Sequence, residues 1–166
     1  MLDKQGADAV RWYFYTASAP WLPCRFSDKA INEGPRKFMA TLQNTYAFFV
    51  LYANIDQFNP KEHDFAKVKL TLMDRWILSR LNQLVQQVDD DLTNYRIPEP
   101  ANAIAAFVEE LSNWYVRRGR ERFWGKGMDD TKEAAFVTLY TVLTTLTRVI
   151  APFMPFMSED MYQNLV

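Results

Sequence analysis

Apolar residues recur at intervals of three and four along most of this 166-residue chain, which is the spacing that places side chains on one face of an α-helix. The segment from Leu72 to Asn94 is the clearest case. Its apolar positions on a single helical face are Trp76, Ile77, Leu81, Leu84, Val85, Val88 and Leu92. Alternation typical of β-strands is sparse, so the pattern predicts an all-α protein.

Capping residues and helix breakers divide this pattern into separate helices. The predicted helices cover Ala7 to Thr16, Pro35 to about Asn54, Leu72 to Asn94, Pro98 to about Trp124, a segment with Asp129 and Asp130 at its N-terminus that runs to Ile150, and a last segment from Ser158. The loop Pro20 to Pro23 ends the first helix, and Ser27 is predicted to be an N-cap. Gly34-Pro35 predicts a break, because proline disfavours helical geometry in the residue before it.

Short connections between long helices favour an up-and-down antiparallel bundle. In such a bundle the loop Asp56 to Thr71 and the segment Arg117 to Lys126 are both expected at one tip. This tip lies roughly 30 Å from the N-terminal helix at about 1.5 Å per helical residue. The segment Pro152 to Ser158 returns to the opposite end.

Composition restricts the classes of function. A net charge of -1 and a pI near 5.9 mean that any contact with nucleic acid comes from a local patch, which argues against a non-specific duplex binder. The single cysteine, Cys24, and the single histidine, His63, are too few to form a zinc site or a histidine relay. We expect a loop thiol and a solvent-facing imidazole. No signal pattern and no apolar run of about 20 residues is present, so a cytoplasmic protein without a membrane association is expected.

The segment Leu111 to Lys126, LSNWYVRRGRERFWGK, is rich in both aromatic and cationic residues. Guanidinium groups neutralise phosphates and aromatic faces hold unstacked bases, a combination suited to single-stranded RNA loops. A helix with an aromatic core face and a solvated basic face would give the same pattern. The residues alone leave both interpretations open.

Motifs for catalysis are missing from the sequence. It contains no glycine-rich phosphate loop, no nucleophile elbow and no HExxH pattern. Asp8 and Arg11 are three residues apart on one predicted helix, and we expect them to pair with each other. No catalytic residue and no metal ligand is therefore predicted.

Five segments together closely resemble the C-terminal part of the isoleucyl-tRNA synthetases, a class Ia family, and the similarity covers almost the whole chain. They are GADAVRWYFY from Gly6, RKFMATLQNTYAFF from Arg36, MDRWILSRLN from Met73, LSNWYVRRGRERFW from Leu111 and APFMPFMSEDMYQNL from Ala151. The first and last are shared with the enzymes for Val, Leu and Met. The run from Ser112 to Arg118 is more specific, since valine enzymes typically carry an acidic residue where isoleucine enzymes carry arginine.

The resemblance implies a domain organisation. Residues 1–26 would be the end of the connecting segment after the catalytic core, with Pro20 to Cys24 in its hinge, and residues 27–166 would be the helical anticodon-binding bundle. The catalytic and editing domains would lie upstream, so this chain alone is expected to catalyse nothing and to hold no cofactor. The parent enzyme would use ATP and Mg²⁺ to join isoleucine to tRNA(Ile). The expected partners are tRNA(Ile) and the catalytic core of the same chain.

The resemblance also implies the residues of a tRNA site. Trp124 or Phe123 would stack on an anticodon-loop base, and Asn44 would face the same region. Phosphates would be met by the cations Arg117, Arg118, Arg120, Arg122 and Lys126. We expect some of these arginines to pair instead with carboxylates inside the bundle, namely Glu109, Glu110, Glu121 or Asp129. Trp114 and Tyr115 are expected in the core.

Two other interpretations compete with tRNA(Ile) binding. The chain could be a helical protein-interaction scaffold whose aromatic and basic tip docks an acidic partner. It could also be the equivalent domain of a valine or leucine enzyme, which would keep the fold and change only the tRNA.

Overall fold

The computed structural model describes residues 2–19, 21–24 and 26–166, and these ranges contain helices and loops but no β-strand. The helices are α1 (Leu2–Gln5), α2 (Ala7–Thr16), α3 (Asp28–Ile55), α4 (Leu72–Thr93), α5 (Pro98–Glu110), α6 (Arg117–Trp124), α7 (Asp130–Ile150) and α8 (Pro155–Leu165). A π-helical segment, Leu111–Val116, joins α5 to α6. The all-α prediction is confirmed. Met1, Pro20 and Arg25, which belong to the predicted connecting segment, lie outside the described residues.

Four long helices form the bundle, with α3 and the α5–α6 helix running one way and α4 and α7 running the other. Near the end of α3, Phe48 packs on Phe123 of α6 at 5.1 Å between ring centroids. Phe123 also packs on Phe136 near the start of α7, at 5.2 Å. At the start of α4, Asp74 pairs with Arg122 of α6. The ends of two helices therefore meet the starts of the other two, as an up-and-down bundle requires.

The core includes α2 as well as the bundle. Trp12 of α2 stacks on Phe38 of α3 with ring centroids 4.0 Å apart and planes 2° apart, and both side chains are buried. Buried residues from α4, α5 and α7 belong to the same apolar cluster, among them Ile77, Leu81, Ile104, Phe107, Leu139 and Leu143. The segment Ala7–Thr16 thus packs against the bundle that follows it. A domain boundary after residue 26 stays a prediction.

Helix α3 continues through Pro35, and the predicted break at Gly34-Pro35 is wrong. Proline inside a helix removes one backbone hydrogen bond and costs about 3 kcal/mol. Ile31 and Phe38 flank this position and are buried against α2, with exposed fractions of 1% and 7%. Burial on both sides of the proline offsets that cost. The predicted N-cap Ser27 is confirmed, and it begins this longer helix at Asp28 and not at Pro35.

The predicted pairing of Asp8 with Arg11 is wrong. Both residues instead bind the chain where α7 ends and α8 begins. The carboxylate of Asp8 accepts a hydrogen bond from the backbone N–H of Met157 at 2.7 Å. Arg11 donates to the carbonyl oxygen of Pro152 at 2.7 Å. This turn lies beside α2, at the end of the bundle predicted for it. Helix α8 begins at Pro155 and not at Ser158, because proline suits the first turn of a helix.

Helix α7 is apolar on most of its surface. By length and composition alone it could cross a membrane, but 61% of its most apolar 18-residue window is buried inside the bundle. That burial is the ordinary property of a central core helix.

Candidate nucleic-acid interface

The tip of the bundle consists of the loop 56–71, the segment 125–131 and the starts of α4 and α7. Lys132, only 3% exposed, joins these parts. Its Nζ donates to the carbonyl oxygen of Gly125 at 2.7 Å and pairs with Asp56 Oδ2 at 2.7 Å. The predicted neighbourhood of the loop 56–71 and the end of α6 is confirmed. His63 was expected to face solvent, but it stacks on Phe58 at 4.8 Å between ring centroids, and its side chain is only 19% exposed.

The π-helical segment sets which side chains of α6 face outward. The backbone N–H of Arg117 donates to the carbonyl oxygen of Ser112, five residues earlier, which is the hydrogen-bond spacing of a π-helix. In this wider turn Tyr115 stays on the face of Leu111, and both are buried. Trp114 instead turns outward and is 52% exposed. The prediction that Tyr115 lies in the core is confirmed, and the same prediction for Trp114 is wrong.

Asp74 is the centre of a buried hydrogen-bond network between the start of α4, the π-helical segment and α6, and its exposed fraction is 0%. It caps the start of α4 together with Thr71, in a reciprocal capping box. Its Oδ1 accepts from the hydroxyl of Tyr115 at 2.6 Å. Arg122 donates through Nη1 to Oδ1 and through Nη2 to Oδ2, each at 2.8 Å. Arg122 also donates to the carbonyl oxygen of Thr131 at 2.8 Å, which fixes the start of α7.

The network keeps its ion pair charged. Burial alone would raise the pKa of Asp74, but hydrogen bonds from Arg122, Tyr115 and Thr71 outweigh it and hold that pKa below its ordinary value. Burial alone would lower the pKa of Arg122, and the hydrogen bond to Asp74 raises it instead. The charge of Arg122 is therefore neutralised inside the protein. Arg122 is thus one of the arginines that pair inside the bundle, and its role as a phosphate contact stays a prediction.

Phe123 and Trp124 are adjacent in sequence but lie in different environments. Phe123 is 1% exposed and packs between Phe48 and Phe136. Trp124 is 55% exposed. Since a base can stack only on an accessible ring, the structure removes Phe123 from the predicted contacts and leaves Trp124.

The remaining predicted cations are exposed. They form, with Trp124, a surface called here the cationic face, made of Arg117, Arg118, Arg120, Trp124 and Lys126. Arg118 lies over the ring of Trp114, 5.0 Å from its centroid, and Arg120 lies 5.9 Å from the ring centroid of Phe48. Glu121 is exposed on the same face. Among the described residues, no ion pair joins a carboxylate to a cation of this face.

Three of the four carboxylates that were expected to pair with these arginines have other partners. Glu109 pairs with Lys37, and Glu110 accepts two hydrogen bonds from Arg80, at 2.9 and 3.1 Å. The side chain of Asp129 caps α7. One arginine of the segment is held by a carboxylate, as expected, but that arginine is Arg122 and its partner is Asp74.

Asn44 borders the cationic face. It is exposed on α3, one helical turn before Phe48, so both side chains lie on one side of that helix. The guanidinium of Arg120 lies over Phe48. Leu51 and Ile55 continue the same stripe and are 55% and 65% exposed. Their spacing of three and four residues was the available signal for this stripe, and the sequence reasoning missed it.

Arg118 belongs to the cationic face and also lines a groove of about 980 Å³. This groove lies between the start of α4 and the π-helical segment. Its lining includes the apolar or aromatic residues Leu72, Met73, Trp76 and Trp114, together with Arg118, Gly119, Glu110 and the Asp74 partners Tyr115 and Arg122. Sequence reasoning missed this groove, since the 3.6-residue period placed Trp114 in the core.

Comparison with known proteins places these features in a family. The family described as "Anticodon-binding domain of tRNA ligase" matches residues 74–166. Isoleucine-tRNA ligase of Clostridium novyi (strain NT) is 59% identical over 167 aligned residues, and that of Clostridium tetani (strain Massachusetts / E88) is 56% identical over 167. Both alignments cover 100% of this chain. The chain spans only 16% of the length of each of these relatives.

A solved structure has the same fold. The apo form of methionyl-tRNA synthetase from Mycobacterium tuberculosis superposes with a TM-score of 0.73 and 16% sequence identity, over 96% of this chain and 32% of that one. At this identity the likeness concerns the fold alone. The family match, in contrast, covers more than half of the chain. The chain therefore belongs to the anticodon-binding domain family of tRNA ligases.

Proposed function

We propose that this chain binds the anticodon arm of tRNA(Ile) as a domain of an isoleucine-tRNA ligase. The other domains of that enzyme would attach isoleucine to the tRNA with ATP and Mg²⁺ in the cytoplasm, and this domain would take no part in the chemical step. Identity of 54–59% to isoleucine-tRNA ligases over the whole chain supports this assignment. The observation that carries it is the cationic face, where an exposed tryptophan lies among exposed cations for which the described residues provide no carboxylate partner.

Phosphates of the tRNA backbone are the proposed partners of the cations Arg117, Arg118, Arg120 and Lys126. Arginine and lysine contacts to phosphate position an RNA and supply most of its salt-dependent affinity. The whole chain has a net charge of -1, so attraction depends on this local concentration of positive charge. Trp124 would stack on an unpaired base, which is how proteins usually hold single-stranded loops.

Arg122 and Phe123 have a supporting role in this proposal. Arg122 ties α6 to the start of α4 through Asp74, and Phe123 packs α6 against α3 and α7. Together they fix the orientation of the helix that presents the cationic face. A site held by buried neighbours in this way loses little conformational entropy when it binds.

The competing interpretations predict different partners. An acidic protein could also pair with the exposed cations, but the match to the anticodon-binding family favours RNA. A valine or leucine enzyme would have the same fold, but the relatives at 54–59% identity are isoleucine-tRNA ligases. A preference for tRNA(Ile) would distinguish the isoleucine enzyme from both alternatives, since a protein scaffold would show no tRNA preference and a valine or leucine enzyme would prefer a different tRNA.

The experiment measures the affinity of the full-length ligase for tRNA(Ile) and for a non-cognate tRNA across a salt series. Arg120→Ala should weaken binding and reduce the salt slope by about one unit or less, because one phosphate contact is lost. Trp124→Ala should cost ~1–3 kcal/mol with little change in slope. Arg36→Ala, an exposed arginine far from the tip, is the matched control. Unchanged affinity and slope in both variants, or equal affinity for both tRNAs, would contradict the proposal.

A further inference from the structure

We propose that the groove between the start of α4 and the π-helical segment binds one unpaired nucleotide of the tRNA anticodon loop, with its base against Trp114 and its phosphate on Arg118. This inference rests on the proposed function and adds a second base site to it. The base at Trp124 would be the first.

The apolar character of the groove suits a flat aromatic ligand. Leu72, Met73 and Trp114 are 77%, 37% and 52% exposed, although all three are large apolar residues. Trp76 lines the same space. Exposed apolar surface gathered in one concave region indicates a binding site. The volume of about 980 Å³ lies within the range of small-molecule sites and leaves room for a nucleotide.

The charged side chains that line the groove favour an anionic ligand. Glu110 is already engaged by Arg80, and Arg122 is engaged by Asp74. Of the charged residues in the described lining, Arg118 alone has no carboxylate partner. The groove therefore offers one free positive charge beside an aromatic wall. A base with its phosphate matches both features, whereas an apolar protein segment would leave the charge of Arg118 unpaired.

Arg118 is also held in position before any ligand binds. Its guanidinium lies 5.0 Å from the ring centroid of Trp114, a cation–π contact that restricts both side chains. The floor of the groove is rigid as well, because Tyr115 and Arg122 belong to the buried network around Asp74. A nucleotide would meet a preformed surface.

Gly119 also lines the groove, and its lack of a side chain indicates a ligand that enters from outside the bundle. It lies inside α6, where glycine costs about 1 kcal/mol relative to alanine. Apart from its sequence neighbours and the backbone of its own helix, a Cβ at this position would meet no atom within 4 Å, and its backbone conformation is an ordinary helical one. Neither packing nor backbone geometry within the described chain requires glycine here. Its lack of a side chain keeps the groove open.

The spacing of the two tryptophans defines how the RNA would lie. Trp114 and Trp124 are ten residues apart along one helix, about 15 Å at 1.5 Å per residue. Bases at these two positions are too far apart to stack on each other. The loop would therefore be splayed, with separate bases held on separate rings, as in other sequence-specific complexes with RNA loops.

The test uses the full-length ligase and tRNA(Ile) carrying the fluorescent base 2-aminopurine at each anticodon-loop position in turn. Wild-type enzyme should quench one position through Trp114 and a different position through Trp124. Trp114→Ala should restore fluorescence at the first position only and weaken affinity about 5- to 150-fold, the usual range for one stacked base. Trp114→Phe should retain most of the affinity.

Gly119→Leu provides a second, independent variant. It fills the groove, removes no contact and favours the helix, so the fold should be retained while tRNA affinity falls at least about 5-fold. Phe156→Ala is the control, because it removes a 69% exposed aromatic ring at the opposite end of the bundle. It should leave affinity and every fluorescence signal unchanged.

The outcomes separate the two proposals. If Trp124→Ala and Arg120→Ala weaken binding while Trp114→Ala and Gly119→Leu do not, the groove proposal is wrong and the proposed function stands. If none of the four variants affects tRNA binding, the proposed function itself is wrong. If Gly119→Leu lowers the unfolding temperature of the tRNA-free ligase and leaves tRNA affinity unchanged, another part of the enzyme covers the groove. That result would also overturn the inference.

Discussion

Arg122 and Asp74 form a two-point salt bridge in which both nitrogen–oxygen distances are 2.8 Å and the carboxylate is completely buried. The two residues are 48 positions apart in sequence, so the pair joins the start of α4 to the last turns of α6. Arg122 lies in a run of arginines that are otherwise exposed, and this salt bridge gives it a structural role. The cationic face is presented by a helix that this pair holds in place.

Removal of the buried carboxylate should strongly destabilise the domain. Asp74→Ala leaves Arg122 without its partner and Tyr115 without its acceptor, and loss of one member of a buried pair typically costs about 3–5 kcal/mol. Urea unfolding followed by circular dichroism measures this change. Asp89→Ala, at an exposed position of the same helix, should change the free energy of unfolding by less than about 0.5 kcal/mol. Equal effects of the two substitutions would contradict the assigned role of Asp74.

Acid should weaken the domain through the same residue. The pKa of Asp74 is lower in the folded protein than its ordinary value of about 3.9. The folded state therefore binds fewer protons than the unfolded one in this range, so the stability from Asp74 is present above pH ~4 and is lost as pH falls through the folded pKa. The free energy of unfolding, measured from pH 7 to pH 3, should fall more steeply for wild type than for Asp74→Asn. Parallel curves would show that Asp74 does not contribute.

Phe123 and Trp124 should respond in opposite ways to truncation. Phe123→Ala opens a cavity in the core and should cost about 3–5 kcal/mol of stability. Trp124→Ala removes an exposed ring, so stability should change by about 0.5 kcal/mol or less while tRNA binding weakens by ~1–3 kcal/mol. Thermal unfolding and tRNA affinity, measured on both variants, test this pair. A stability loss in Trp124→Ala comparable to that in Phe123→Ala would place Trp124 in a structural role.

Asp8 should stabilise the contact between α2 and the start of α8. Its carboxylate accepts from the backbone N–H groups of Phe156 and Met157, at 3.4 and 2.7 Å, and so acts as a cap supplied by a distant helix. Asp8→Ala should cost about 0.5–2 kcal/mol, the usual range for a lost N-cap, and should increase hydrogen exchange in α8. Glu159→Ala, exposed on the same helix, is the control. Exchange rates in α8 that do not change would exclude this capping role.

Much of the fold could be predicted because periodic apolar residues and helix caps are local signals. The segment Leu72 to Asn94 was predicted within one residue of the observed α4, and Ser27 was predicted as an N-cap. The break at Pro35 was wrong because the burial of Ile31 and Phe38 against a helix distant in sequence outweighs a local preference. Tertiary packing of this kind has no local signature.

The candidate site was less accessible to sequence reasoning, because the deciding contacts are long-range. The sequence shows a run of arginines but not which one meets Asp74, since that carboxylate lies in another helix. It shows adjacent aromatic residues but does not show that Phe123 is buried and Trp124 exposed. The π-helical turn changes the phase of the apolar pattern between Leu111 and Val116, so a constant 3.6-residue period assigned Trp114 to the wrong side.

The π-helical turn also makes this helix tolerant of one change in length. It is equivalent to one residue inserted into an α-helix, and the wider turn absorbs that residue, so the chain on either side keeps the orientation of one continuous helix. Deletion of one residue between Leu111 and Val116 should therefore let the segment become α-helical, with Arg122 still paired with Asp74 and Phe123 still in the core. The change would be confined to the turn itself, where the outward position of Trp114 would be lost. The additional residue of this turn thus belongs to the groove, whereas the cationic face depends on the helix after it.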